Sequence, residues 1–470
     1  MSTASPSTRT PSLFLAGNFA PVSEEHDAPS LEVEGSIPAD LRGTFLRIGP
    51  NPQFIPDPAA YHWFDGDGMV HGVTFGDQGV SYRNRYVRTQ GWQLENEAGR
   101  WLWRGVNSPP DFDNPHGAFK NVANTAFVQH AGRTLALWEG GKPHEIGVPD
   151  LFTIGVADFD GRIKHPFTAH PKVDPVSGEM MTFGYEVVGP PFCNYTVVDR
   201  LGNVVHSTVV NIPRAIMMHD FAITEHYTLF FDMPVTFSLD RALRGESAFA
   251  WEPEHGSRIG VLPRYGHTAD MRWFEVETCS IIHGAAAYED GNTIVVDAPR
   301  FQTQSVFGEN DGGDGSDGSD ELARMHRWRL DRDSGRVEEQ ADPGDLTIEF
   351  PRINEARVGR PNRYIYAGRQ CEGGTSVRFD GVVKFDRERH ETAVHSFGPQ
   401  TFGGEAVFAP GADGRSEDDG WLVSFVHDEA SEESRCVILD ARDVEADPVA
   451  TVRIPWRVPY GFHADWVAAK

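Results

Sequence analysis

The chain has 470 residues, 39% of them apolar and 11% aromatic, enough to bury a large core. Acidic residues outnumber basic ones 69 to 42, and the formal charge of −27 repels phosphate backbones and anionic bilayers, which excludes nucleic acid as a partner. The 48 glycines and 32 prolines suit tight turns between short strands, so the chain reads as all-β, and no apolar run reaches the ~20 residues of a spanning helix.

The amino end, "MSTASPSTRTPSLFLAGNFAPVSEEHDAPS", has neither the basic start nor the apolar core of a secretory signal. A cytoplasmic location follows, with residues 1–12 flexible and the whole of 1–470 forming a single domain. Attachment through an apolar patch is the one membrane mode left open. Further on, "YHWFDGDGMVHGV" (61–73) crowds His62, Asp65, Asp67 and His71 as a metal cluster would, but Asp and Gly here read better as turn chemistry.

Strand-like runs follow at 134–141, 180–188, 227–237, 293–299, 363–368 and 421–428, each short and bounded by turn residues. The clearest helix is short, "SLDRALRG" at 238–245. Cys193, Cys279, Cys371 and Cys436 are far apart with no C-x-x-C pair, as expected of reduced packing residues. "GENDGGDGSDGSDELA" (308–323) buries too little apolar area to order itself and is expected to be a mobile acidic loop. Its aspartates come every third residue, which is not the calcium spacing of an EF-hand.

A faint repeat pairs an apolar strand ending in aspartate with a second strand, at Asp199, Asp331, Asp386 and Asp440. The last three are 55 and 54 residues apart, close to one four-stranded propeller blade, so a β-propeller is the first architecture and a large sandwich the second.

None of the 19 histidines pairs at helix spacing, so metal ligands would have to come from separate strands. Four of them, His170, His219, His283 and His463, sit among apolar or small residues beside strand-like runs. Singly, each reads more readily as a hydrogen-bonded core histidine, and a propeller axis is the place where they could meet.

These four motifs, with "GTFLRIGPNPQF" (43–54), "YRNRYVRT" (82–89), "KNVANT" (120–125), "EFPRIN" (349–354) and "GGEAVF" (403–408), closely resemble the carotenoid cleavage oxygenases over residues 30–467. The resemblance implies a seven-bladed β-propeller with short helices and loops capping an axial non-haem Fe(II) held by His170, His219, His283 and His463. It implies hydrogen bonding of those imidazoles to Glu139, Glu349 and Glu405, which would set ring tautomers and offset charge. Four neutral ligands leave two octahedral positions open, room for dioxygen. The histidines of 61–73 are structural in this family.

The implied reaction is oxidative cleavage of a conjugated C=C bond into two carbonyl products, with the alkene itself supplying electrons to O2. "GAFKNVANTAFVQHAG" and "TAHPKVDPVSGE" look most like the lignostilbene- and stilbene-cleaving branch, in which Lys120 and Tyr86 would bind a phenol oxygen and favour phenolate. A 4-hydroxystilbenoid or phenylpropanoid alkene is therefore the preferred substrate. The alternatives are a carotenoid or apocarotenoid, a monooxygenase or isomerohydrolase outcome, and a non-catalytic propeller that binds apolar ligands or proteins. Ala286 and Ile48 depart from common family residues, which weakens any transfer of pocket shape.

Overall fold

The computed structural model describes residues 12–55, 57–58, 61–106, 108–244, 246–304, 322–371, 378–412 and 414–469. The flexible end expected at 1–12 and the acidic loop expected at 308–323 lie outside the described residues, apart from Ser12, Leu322 and Ala323.

Short antiparallel strands dominate. Ala126–His130, Arg133–Leu137, His144–Ile146 and Thr153–Val156 form one four-stranded sheet. The next three sheets begin at Lys172–Val173, Phe221–Ile223 and Ala286–Asp290, again with four strands each. A ten-stranded sheet starts at Ile348–Arg352 and runs on through the short strand Thr401–Gly403 to Ala450–Ile454 and Val33–Gly35. A five-stranded sheet joins both ends of the chain: Ala464–Ala468 pairs with Gly43–Pro50, beyond which lie Gly68–Gly76, Gly79–Tyr86 and Asp27–Ala28.

Each sheet packs face to face on the next. Leu46 and Val70 meet Ala136 and Ile146. Ala126 and Leu137 meet Met180 and Val198, and Phe183 and Tyr195 meet Phe221 and Phe230. Phe231 and Val261 meet Val296 and Trp328, and Met325 meets Ile348 and Ile365. Tyr366 and Val382 meet Phe408 and Leu439, and Phe425 and Ile438 meet Phe45 and Val73, back on the sheet where the series began. The fold is thus propeller-like. Strands covered on both faces are continuously buried, as in Gly43–Pro50, whereas an outermost strand such as Val204–Val209 alternates half-buried and exposed residues.

The repeated aspartates each sit in a hairpin between two consecutive paired strands. Asp199, Asp331, Asp386 and Asp440 each accept a backbone N–H from two residues onward with Oδ1, at 2.9, 2.8, 3.1 and 2.9 Å, which makes each an Asx turn.

Two α-helices are present among the described residues. Leu239–Leu243 lies inside the expected 238–245 and is capped by Ser238. Gln90–Ala98 was not anticipated; Thr89 Oγ1 caps it and Gly99 ends it at φ +65°. Among the described residues no helix is long and apolar enough to cross a membrane. All four cysteines are free, and Cys193, Cys279 and Cys436 are buried as packing residues.

Neighbouring sheets are also tied by charge. Asp174, buried just after Lys172–Val173, pairs with Arg264 at 2.7 Å on the following sheet and accepts N–H bonds from Val176 and Ser177 at 2.8 and 3.0 Å. Burial pushes its carboxyl up, but these partners outweigh it and bring the pKa down to about 2. Because the folded value is depressed, the stabilisation is present above the unfolded value near 4 and is lost as pH falls through about 2. Asp174→Asn should cost about 2 kcal/mol at neutral pH, and the deficit should shrink below pH ~4, as measured by urea denaturation across that range.

Candidate metal centre

Four sheets each send one histidine to a common point. His170, His219, His283 and His463 lie within three residues of the start of Lys172–Val173, Phe221–Ile223, Ala286–Asp290 and Ala464–Ala468, each the first strand of its sheet or the closing strand at the ring. Their ligand nitrogens all fall within 4.8 Å of one another, the one such four-residue group among the described residues. Ring centroids are 4.5 Å apart for His170–His219 and His170–His463, and 4.7 Å for His283–His463.

Three carboxylates stand behind three of the rings. Nδ1 of His219 donates to Glu139 Oε2 at 2.5 Å, that of His283 to Glu349 Oε2 at 2.6 Å, and that of His463 to Glu405 Oε1 at 3.1 Å. A proton held on Nδ1 leaves the Nε2 lone pair facing inward, where the group converges. Nε2 of His283 is buried with no hydrogen-bond partner, and Nε2 of His170 faces Nε2 of His219 at 2.9 Å. Orphaned and opposed imidazole nitrogens are what a cation ligated from four sides would leave, and an all-imidazole set suits iron. The residues present therefore fit the metal.

The electrostatics agree. Burial, then the neighbouring imidazoles, hold His170 well below the usual imidazole range, and burial brings His463 to about 4 against the pull of Glu405. Both stand neutral and able to ligate. For His219, burial pulls the pKa down, but the Glu139 carboxylate outweighs it and leaves it raised. Tyr185 Oη also donates to Glu139 Oε1 at 2.7 Å, steadying that carboxylate. Burial pushes Glu405 up, but Arg352 and His463 outweigh it and keep it ionised.

Several residues at this centre were not singled out from the sequence. The Phe350 ring lies 5.4 Å from that of His283 and 4.6 Å from that of His463, at φ +54°, a conformation costing ~1–2 kcal/mol for a residue with a Cβ. Its N–H donates to Glu349. Arg352 approaches Glu405 at 3.8 Å and Glu355 at 2.9 Å, while Lys172 pairs with Asp220 at 2.7 Å and Asp220 accepts Gly284 N–H at 2.8 Å. These charged pairs line a cavity of about 390 Å³ that reaches His170, His283 and His463.

Lys120 and Tyr86 do not line that cavity, nor do they join the histidine network. Lys120 is buried, 2.6 Å from both Asp67 and Glu95, with its ammonium 4.7 Å from the Trp101 ring centroid. Tyr86 Oη accepts from Asn51 Nδ2 at 2.6 Å, and burial, then the nearby Asp67, pushes its pKa up. The stretch 61–73 is structural, as expected. His62 and Asp65 form a reciprocal cap on the turn Trp63–Asp65, and His71 Nδ1 pairs with Tyr82 Oη at 2.8 Å.

Against known proteins, the family model described as retinal pigment epithelial membrane protein matches residues 19–468. The chain belongs to the carotenoid cleavage oxygenase family. A carotenoid 9,10(9',10')-cleavage dioxygenase 1 from Phaseolus vulgaris is 37% identical over 98% of this chain and 90% of its own length. An isoeugenol monooxygenase from Pseudomonas putida is 34% identical over 96% of this chain and 97% of its own. The crystal structure of a Pseudomonas brassicacearum lignostilbene dioxygenase superposes with a TM-score of 0.90 at 32% identity, covering 99% of this chain and 100% of that one. Carotenoid cleavage oxygenases are iron-dependent, and this member is an iron oxygenase with a four-histidine group in place.

Replacing any one of His170, His219, His283 or His463 by alanine should leave the protein with far less than one iron per chain after dialysis. Glu139→Gln, Glu349→Gln and Glu405→Gln should each weaken iron about 10- to 100-fold. His71→Ala should retain its iron. Metal analysis on folded protein checks all of these.

Proposed function

We propose that this protein is an Fe(II)-dependent dioxygenase that cleaves the conjugated C=C bond of a 4-hydroxystilbenoid or phenylpropanoid alkene into two carbonyl products. The observation that carries the proposal is the convergence of His170, His219, His283 and His463, backed by Glu139, Glu349 and Glu405. The end-to-end likeness to a lignostilbene dioxygenase supports the substrate class. As part of the same reading, the successive sheets and the closed series of packed faces form seven blades, with the ten-stranded sheet contributing two. The turns around Trp63 and Phe462 form the cap over the axis, and the four free cysteines favour a cytoplasmic setting.

Iron at the four histidines supplies activation of dioxygen. The chain's own residues do the rest. Glu139, Glu349 and Glu405 hold the protons of three Nδ1 atoms, so the rings neither rotate nor change tautomer. The Phe350 ring covers His283 and His463 and excludes water from one side of them.

Lys120 is assigned to the phenol oxygen. An ammonium has three N–H donors: Glu95 Oε2 accepts one at 2.6 Å, and Asp67 Oδ1, 2.6 Å away as an ion pair, stands on a second side. The third is available to a ligand. Two carboxylates already outweigh this single ammonium, so the site holds the phenol as a neutral hydrogen-bonded group; the phenolate expected from sequence would add a third negative charge to it. Tyr86, beside Asp67, supplies the second polar wall. From Lys120 the chain reaches Thr125, whose carbonyl accepts the His463 N–H at 3.2 Å, and five extended residues span at most about 17 Å.

Apocarotenoid cleavage is the second reading, favoured by the 37% identity to a carotenoid dioxygenase. Anaerobic Fe(II) loading followed by O2 uptake and product chromatography with resveratrol and an apocarotenal separates the two. Two aldehydes from resveratrol, with kcat/KM falling about 10- to 100-fold in Lys120→Met, are expected. Turnover of the apocarotenal alone would overturn the phenolic assignment. Isotopically labelled dioxygen should place label in both products, and label in one only would indicate a monooxygenase.

A further inference from the structure

Away from the histidines, a cavity of about 290 Å³ lies between the sheet that begins at Ala286–Asp290 and the one that begins at Ile348–Arg352. Its wall carries four guanidiniums, Arg327, Arg357, Arg363 and Arg387, against two carboxylates, Glu388 and Glu417, in a protein whose formal charge is −27. Asn362 and Tyr288 complete its polar lining.

The arginines are held from behind. Arg327 makes a two-point fork to Asp297 at 2.9 and 2.7 Å, and Arg363 makes one to Asp386 at 2.9 and 2.5 Å. Arg387 donates to Asp297 at 2.9 Å and to Asp342. None of these three aspartates lines the cavity, so they fix the guanidinium planes without filling the space in front of them. A fork uses two of the five N–H groups on each arginine. Arg357 is held loosely, 3.6 Å from Glu417, with about half its side chain exposed.

Two buried polar atoms in the wall have no partner. Arg387 Nε and Asn362 Oδ1 make no hydrogen bond, although both residues are only 8% exposed. One is a donor and the other an acceptor, so a ligand that satisfies both must accept and donate, and leaving either unsatisfied carries a penalty. A chloride ion or a fully ionised carboxylate lacks the proton.

We propose that this cleft binds a small oxyanion that carries a hydroxyl, of which monohydrogen phosphate is the simplest. Its oxygens accept from Arg387 Nε and from the unforked N–H groups of Arg327, Arg357 and Arg363, and its O–H donates to Asn362 Oδ1. Sulfate matches the charge and shape but has no proton at neutral pH, so it serves as the control.

The test is calorimetric titration of the iron-loaded full chain with inorganic phosphate and with sulfate at equal ionic strength. One phosphate site per chain is expected, preferred over sulfate by roughly tenfold, the equivalent of one charge-assisted hydrogen bond. Arg357→Gln, on a loosely held side chain, should weaken phosphate roughly tenfold with alkene turnover unchanged. Asn362→Ala should erase the preference for phosphate over sulfate. Phosphate bound at iron or elsewhere would ignore both substitutions. The absence of saturable binding, or binding untouched by both variants in protein whose circular dichroism matches the parent, would overturn the proposal.

Discussion

The pairing of Ala464–Ala468 with Gly43–Pro50 joins the two ends of the chain, and the position of the fourth histidine depends on it. His463 stands one residue before that strand. Its carbonyl accepts Ile48 N–H at 3.0 Å, its own N–H goes to Thr125 at 3.2 Å, and Phe462 N–H goes to Ile48 at 2.9 Å. The ligand backbone is thereby clamped between two sheets. The approach is as constrained as the strand: a Cβ on Gly461 would come within 2.8 Å of Arg47 Nε and 2.9 Å of Ile48 O. Arg47, buried, donates to the Pro459 carbonyl and lies over the Phe425 ring at 5.2 Å. Tyr460 and Phe462 pack on Phe19 and Trp63, so the aromatics around the last histidine tie the carboxyl end of the chain to its amino end.

Closure matters because no local segment can build this centre. Four of the sheets contribute one imidazole each, and the four meet only if the intervening sheets keep their order and spacing. The packed faces supply that order through apolar area, and ties such as Asp174–Arg264 add directional links between neighbours. At the convergence the polar groups occur in matched sets: three imidazoles backed by carboxylates, and two of those carboxylates, Glu139 and Glu405, backed in turn by Tyr185 and Arg352. A buried charge with no partner costs several kcal/mol, which is why the carboxylates come with donors attached.

Much of this was legible before any coordinates. The repeated aspartates announced hairpins of one kind, and each makes an Asx turn in its hairpin. Each of the six strand-like runs contains a strand, because bounding turns are local signals, although 134–141 is strand only as far as Leu137 and 227–237 divides into Tyr227–Asp232 and Val235–Phe237 in different sheets. The histidines were different. Nothing in "FTAHPK" or "IIHGAA" distinguishes a packed histidine from a convergent one, and only the family resemblance grouped them. The helix Gln90–Ala98 escaped notice since its sequence, "QGWQLENEA", has a glycine inside and a weak apolar face. Lys120 was recognisable as a candidate, but its two carboxylates come from positions 53 and 25 residues away, a distance over which sequence carries no pairing signal.

The strand Ile348–Arg352 shows why periodicity was silent about the centre's other residues. In a regular strand, residues three apart point to opposite faces, so Glu349 and Arg352 could not both serve one site. Here the register with Tyr364–Gln370 shifts between those two residues, and Phe350 takes a positive φ. The irregularity aims Glu349 at His283, lays Phe350 against His283 and His463, and carries Arg352 to Glu405. Four consecutive residues thereby support two of the four imidazoles. The strain is sustained because the Phe350 N–H closes back on Glu349, so relaxing the strand would release the carboxylate that orients His283.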